Sequence, residues 1–126
     1  MKYIKLFEEL TEPDFNDLEE FADDLFSELG VDVVFTNHFK ERVNDWRESR
    51  KPIEYEELEH LFLKAYRNAG NQIVSLPDHT AVVLRDHWTR LNSPIVVQDG
   101  SANRKLIMQT ILRKKDFTSP DPIITI

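Results

Sequence analysis

The chain has 126 residues, the length of one domain, and its 40% apolar content with eight Phe, two Trp and three Tyr can build one core without staples. It has no cysteine, which excludes a disulfide framework, a Cys-ligated zinc site and thiol catalysis. No apolar run is long enough to span a bilayer, and Met1–Lys5 leads into Glu8 and Glu9 rather than a signal-like apolar stretch. The expectation is a cytoplasmic chain with no membrane partner.

The formal charge of −7 is unevenly spread. Residues 1–32 hold eleven acids and two bases, whereas residues 33–126 hold twelve acids and fourteen bases. Between 85 and 115, seven bases (Arg85, Arg90, Arg104, Lys105, Arg113, Lys114 and Lys115) stand against Asp86 and Asp99. Local field rather than net charge decides what a cleft attracts, so a polyanionic partner remains open.

In chain order, Tyr3, Ile4, Phe7 and Leu10 have helical spacing. Pro13 and the acids after it start a second helix, because Pro suits the first turn and acids favour its positive end. Phe15, Leu18, Ala22, Leu25, Phe26 and Leu29 form its apolar stripe up to Gly30, with Asp17, Glu20, Asp23, Asp24 and Glu28 opposite. Val31–Phe35 reads as a buried strand. Thr36 or Asn37 caps the next helix, over 37–48, whose inward stripe is Phe39, Val43 and Trp46. A helix over 54–68 follows Pro52, with Tyr55, Leu58, Leu61, Phe62, Ala65 and Tyr66 inward and Gly70 closing it.

Beyond Gly70 the pattern turns to strands. Gln72–Leu76, Ala81–Arg85, Ile95–Gln98 and Lys105–Arg113 are β-rich, Asp99-Gly100 predicts a hairpin, and Ile123–Ile126 adds an edge strand. Helices first and a meander after indicate α+β. The expected fold is N-terminal helices followed by an antiparallel four- to five-stranded sheet, with two helices packed on one face. One domain over 1–126 is expected, divided into an acidic helical extension (1–30) and an α+β core (31–126).

The three glycines are far apart, so no phosphate-cradling loop exists, and neither a nucleophile elbow nor a His-Glu-x-x-His helix occurs. Asp78-His79 and Asp86-His87 are repeated dipeptides that read better as loop polars than as metal ligands. No metal and no cofactor is expected. In Phe35–Arg42, His38 and Arg42 lie one helical turn apart on one face, beside the docking stripe. His60, Lys64 and Arg67 make a similar polar stripe on the next helix. Arg113-Lys114-Lys115 ends the longest strand, where charge also protects an edge. Trp88 stands in a basic loop with Arg85, His87 and Arg90, and an aromatic there can stack on a base.

The order of strand, His-x-x-x-Arg helix, second helix and meander resembles the RelE/RegB group of small endoribonucleases, its phage RegB-type members most of all. The likeness covers residues 31–113, with Phe35–Arg42 and Ile53–Lys64 similar to the strand-and-two-helix segment. Arg42–Asp45 with Arg47, Leu91-Asn92-Ser93-Pro94 and Arg113–Pro120 is also similar to uncharacterised small proteins of large tailed phages. The resemblance implies a RelE-like core, action on mRNA, and the cytoplasm of an infected host cell. It implies that His38 is a catalytic group and Arg42 a phosphate contact. The family's second essential His falls nearest Leu63, with His60 one turn earlier as the substitute.

Two functions follow as expectations. The first is metal-independent cleavage of RNA through its 2′-hydroxyl, with His38, Arg42 and His60 catalytic and Arg85, Arg90, Arg113, Lys114, Lys115 and Trp88 binding RNA. The second is a non-catalytic phage-type factor that binds a host protein through the acidic helix.

Overall fold

The computed structural model describes residues 9–45 and 51–126. The expected helix over 3–10, apart from its last two residues, and the inward position of Trp46 lie outside them. The elements are α1 (Glu12–Ser27), β1 (Val31–Phe35), α2 (Asn37–Val43), α3 (Tyr55–Val74), β2 (Thr80–Asp86), β3 (Leu91–Asp99), β4 (Arg104–Met108), β5 (Leu112–Arg113) and β6 (Ile123–Thr125). The class is α+β. None of the described helices is long and apolar enough to cross a membrane.

α1 begins with a capping box: the Thr11 hydroxyl accepts from the Asp14 amide, and the Asp14 carboxylate accepts from the Thr11 amide. Phe15, Leu18, Ala22 and Phe26 are buried at helical spacing, so this helix is part of the common core rather than an extension to it. Gly30, with φ +73°, turns the chain into β1. Asp23, expected on the solvated face, looks inward instead, and Glu19 does the same. Asp23 Oδ1 accepts the Val33 amide at 2.9 Å, and Glu19 Oε2 accepts the Phe35 amide at 2.7 Å.

The sheet order is β1-β4-β3-β2-β6, with β5 continuing the β4 side of β3. It is mixed, not antiparallel as expected. β1 joins β4 and β6 joins β2 in parallel, while β2-β3, β3-β4 and β3-β5 are antiparallel. The parallel edges arise because β1 reaches its place before the two helices that cross the sheet, and β6 after a strap over 114–122. The Asp99-Gly100 hairpin forms, with Asp99 paired to Arg104.

One row across the sheet, Phe35, Met108, Ile95 and Val82, is buried beneath the helices. Phe35 packs against Phe39 of α2 and stacks on Phe62 of α3, with centroids 4.8 and 5.6 Å apart, so both helices cover the same face. Val43 and Leu58 are buried with them. α2 stops at Val43, short of the expected 48.

The expected strand over Gln72–Leu76 is instead the last turn of α3, whose bounds reach Val74. Ala65, Ala69 and Ile73 repeat every four residues and are all buried, so the helical stripe simply continues. Gly70 does not end the helix. It makes room for Leu29, just past the end of α1, because a Cβ there would lie 2.9 Å from Leu29 Cδ1.

The expected strand over Lys105–Arg113 is broken. Met108 pairs with Ile95 and Leu112 with Asn92, so three residues on one side face two on the other. This is a bulge opposite Pro94, which has no amide to give the ladder. One extra residue flips the side chains that follow. Arg113, opposite the buried Leu91, is thereby turned toward the helices.

Candidate nucleic-acid interface

The polypeptide leaves β2 at Asp86 and returns into β3 at Leu91 through a four-residue turn, closed by the Arg90 amide donating to the Asp86 carbonyl at 2.8 Å. Asp86 organises this turn. Its carboxylate is fully buried, and Oδ1 accepts both the Trp88 amide at 3.0 Å and Lys64 Nζ from α3 at 2.6 Å. Burial alone would raise its pKa. Hydrogen bonds from Lys64, the Thr89 hydroxyl and the Trp88 amide, with the Lys64 charge, outweigh that and hold the carboxyl below its ordinary range. Arg90 closes the turn in the left-handed region, with φ +66°.

The strap after β5 passes beside this turn. Asn92, buried on β3, donates through Nδ2 to the carbonyls of Arg90 and Lys114, at 3.1 and 2.9 Å, and so ties turn to strap. Its Oδ1 accepts from Arg85 Nε at 3.3 Å, while Arg85 Nη2 donates to the Phe117 carbonyl. Between the two walls lies a cleft of about 250 Å³. Arg85, Asp86 and Asn92 contribute hydrogen-bonded parts of its lining; His87, Trp88, Arg90, Lys114 and Lys115 contribute the rest.

Five of the six residues expected to bind RNA therefore meet at one cleft: Arg85, Trp88, Arg90, Lys114 and Lys115. Trp88 is 88% exposed and is the one large apolar side chain the described residues leave in solvent. The side chains of His87, Arg90, Lys114 and Lys115 are exposed, with no hydrogen bond or ion pair to another described residue. The sixth, Arg113, does not join them. Its guanidinium is 8% exposed and holds Glu57 Oε1 at 2.7 Å and Oε2 at 3.1 Å, with the Thr89 and Pro52 carbonyls at 2.8 and 2.9 Å. For Glu57, burial works upward, and the Arg113 hydrogen bond, the Glu54 amide and the Arg113 and Lys51 charges prevail, lowering its pKa.

The expected catalytic residues are not gathered with the cleft. His38 is exposed and Arg42 half-buried on α2, beyond the end of β1. Two strands separate β1 from β2, a span of three strand spacings or roughly 14 Å. Arg42 Nε is buried with no hydrogen-bond partner among the described residues. His60 is exposed on α3, and its position is more telling. Glu57 and Lys64 of the same helix are bonded to Arg113 and Asp86 at either side of the turn. His60 lies three residues from one and four from the other, so it flanks the stripe that faces the turn.

The cleft's own imidazole is His87, which reads in the sequence as a loop polar. Its signal in the sequence was its place among Arg85, Trp88 and Arg90. Asp78, in the other dipeptide, accepts the Asp99 amide at 2.7 Å and pairs with His79 at 3.0 Å. No three His, Asp or Glu side chains among the described residues converge as a metal site. Comparison with protein-family models, curated proteins and solved structures finds no match to this chain.

Proposed function

We propose that the protein binds unpaired RNA at the cleft between the β2–β3 turn and the strap, and cleaves it without a metal through the substrate's own 2′-hydroxyl. The observation that carries this reading is the convergence of three uncommitted cations, Arg90, Lys114 and Lys115, with an indole left in solvent. Cations supply the sequence-independent attraction to phosphate, and an exposed aromatic face takes an unstacked base. A duplex offers no such free base face.

The cleavage half of the reading needs proton transfer and charge stabilisation only. One imidazole removes the 2′-hydroxyl proton, the 2′-oxygen bonds to the adjacent phosphorus, and the bond to the 5′-oxygen breaks as an acid protonates it. The products are a 2′,3′-cyclic phosphate and a 5′-hydroxyl. His87 at the rim and His60 on the neighbouring stripe are the groups for these transfers, and Arg90 and the two lysines stabilise the phosphorane.

Purified protein is incubated with single-stranded RNA, with and without EDTA, and with one 2′-deoxy substitution at the cut site. Cleavage is expected to survive EDTA and stop at the deoxy residue. His87→Ala and His60→Ala should each slow cleavage by about 10²–10⁴-fold, as for loss of a proton-transfer group. His38→Ala should leave it unchanged. Loss at His38 instead would return the chemistry to α2, as the RelE/RegB resemblance implies. Absence of both binding and cleavage would favour the protein-binding reading, through acids of α1 and its C-cap that stay in solvent, Asp17, Glu20, Asp24 and Glu28.

A further inference from the structure

We infer that the hairpin cleft is a site for one nucleoside monophosphate unit: the base lies on the Trp88 indole and its phosphate is held by Arg90, Lys114 and Lys115. The inference rests on the RNA-binding reading and narrows it from a charged surface to a nucleotide-sized site. Its first ground is size. About 250 Å³ lies below the roughly 300–1,000 Å³ of clefts that enclose drug-sized ligands, so the cleft is too small to enclose a stacked run of nucleotides and takes at most one.

The second ground is the division between floor and rim. Both amide atoms of Asn92 are in hydrogen bonds, and Arg85 is held by Asn92 and the Phe117 carbonyl. The floor is thus fixed before any ligand arrives, which lowers the ordering cost of binding. The rim is the opposite. Its cations make no hydrogen bond or ion pair with a described residue, and Trp88 leaves its ring in water, where a large apolar side chain gains nothing for the fold.

The third ground is the turn itself. A left-handed arginine is a strained choice where glycine or asparagine is easier, and the strain sits at the residue that bridges the indole wall to the lysine strap. Arg90's own carbonyl accepts the Lys114 amide at 2.9 Å, so the guanidinium and the two ammonium groups spring from adjoining backbone. Cations on both walls and an aromatic on one make the chemistry of a base with its phosphate, rather than of a simple anion.

The test is calorimetric titration of the whole protein with adenosine 5′-monophosphate, ribose 5-phosphate and a short single-stranded RNA. Expected are saturable binding of the mononucleotide and binding weaker by tenfold or more for ribose 5-phosphate, which has no base to stack. Trp88→Ala should remove that difference, and Lys114→Ala with Lys115→Ala should weaken both ligands. All three positions are exposed, and circular dichroism checks that each variant folds. Equal binding of the two small ligands overturns the base-stacking assignment. RNA binding without mononucleotide binding overturns the single-nucleotide site while leaving the RNA reading in place. Failure of all three ligands overturns both.

Discussion

Glu19 Oε2 accepts the backbone amide of Phe35 at 2.7 Å, and one turn later on the same helix Asp23 does the same for Val33. Among the described strands β1 lies at an edge of the sheet, paired with β4 on one side only. The free edge of such a strand is a template for pairing with another chain, and here two carboxylates occupy its outward amides. Charge on α1 that looks like a solvated face is in part a lock on the sheet.

Removing this lock has two expected consequences. Glu19→Ala and Asp23→Ala should each lower stability by about 1.5 kcal/mol, the lower end for hydrogen bonds to charged groups, since both side chains are only half-buried. Urea unfolding measures this as a lower midpoint with unchanged slope. The double variant should also self-associate at high concentration, read by light scattering. Deleting residues 1–30 removes Phe15, Leu18, Ala22 and Phe26 from the core, so loss of folding is expected.

Arg113 and Glu57 form a second lock, between β5, the first turn of α3, Pro52 and the hairpin turn. Arg113→Met leaves two carbonyls without this donor and the half-buried Glu57 carboxylate with only the Glu54 amide and the more distant Lys51. The expected loss is about 3 kcal/mol, typical of breaking a buried pair by removing one partner. Denaturant midpoints near neutral pH check it. A change near zero would place Arg113 with ordinary surface charge.

The same carboxylates set the acid response. The pKa values of Glu57 and Asp86 are lowered from 4.5 and 3.8 respectively, so both contribute fully above those values, where folded and unfolded chains are alike ionised. As pH falls below them, the unfolded chain takes up protons first and stability declines until the folded values are passed. Stability should therefore be flat near neutrality and drop below about pH 4.5, and Glu57→Gln should shrink that drop. Urea midpoints from pH 7 to 3 read it directly. A midpoint rising on acidification would contradict the assignment.

The helices and core were legible because apolar spacing survives in them without interruption: Phe15 to Phe26, Phe39 to Val43, and Leu58 to Phe62. What was hidden came from long-range pairing. Nothing local in Gln72–Leu76 outweighs its β-rich composition, yet Ala69 and Ile73 extend a buried stripe whose cover comes from far along the chain, with Leu29 packed on Gly70. The inward turn of Arg113 depends on a bulge opposite Pro94, and a bulge is a property of two strands. The basic hairpin was legible because its members cluster in sequence. Its partners in the strap were visible only as a charge run, and Asp86 as a loop polar rather than the buried anchor of the turn.

Salt separates electrostatic contact from stacking. On an RNA strand, where Arg90, Lys114 and Lys115 meet the phosphates flanking the bound nucleotide as well as its own, the slope of log affinity against log salt should be about −2. Lys114→Ala should make it shallower by about 0.7. Trp88→Ala should lower affinity at every salt concentration without altering the slope, because stacking releases no counterions.

Arg90 allows function and stability to be moved in opposite directions. Its φ of +66° is a conformation that costs a non-glycine residue roughly 1–2 kcal/mol, and no hydrogen bond from its side chain to a described residue offsets that. Arg90→Ala removes the cation and keeps the strain. Arg90→Gly removes both, although glycine also gives the unfolded chain more freedom, about 0.4–1 kcal/mol of the gain. The glycine variant should therefore be as stable as the parent or more so, and more stable than the alanine variant by roughly 0.5–1 kcal/mol. Both should lose RNA affinity to the same extent, and Arg90→Lys should recover most of it. Thermal unfolding and RNA titration of the three variants decide the matter. Equal stability of Gly and Ala would remove the strain from the account, and unchanged RNA affinity in both would take Arg90 out of the binding cleft.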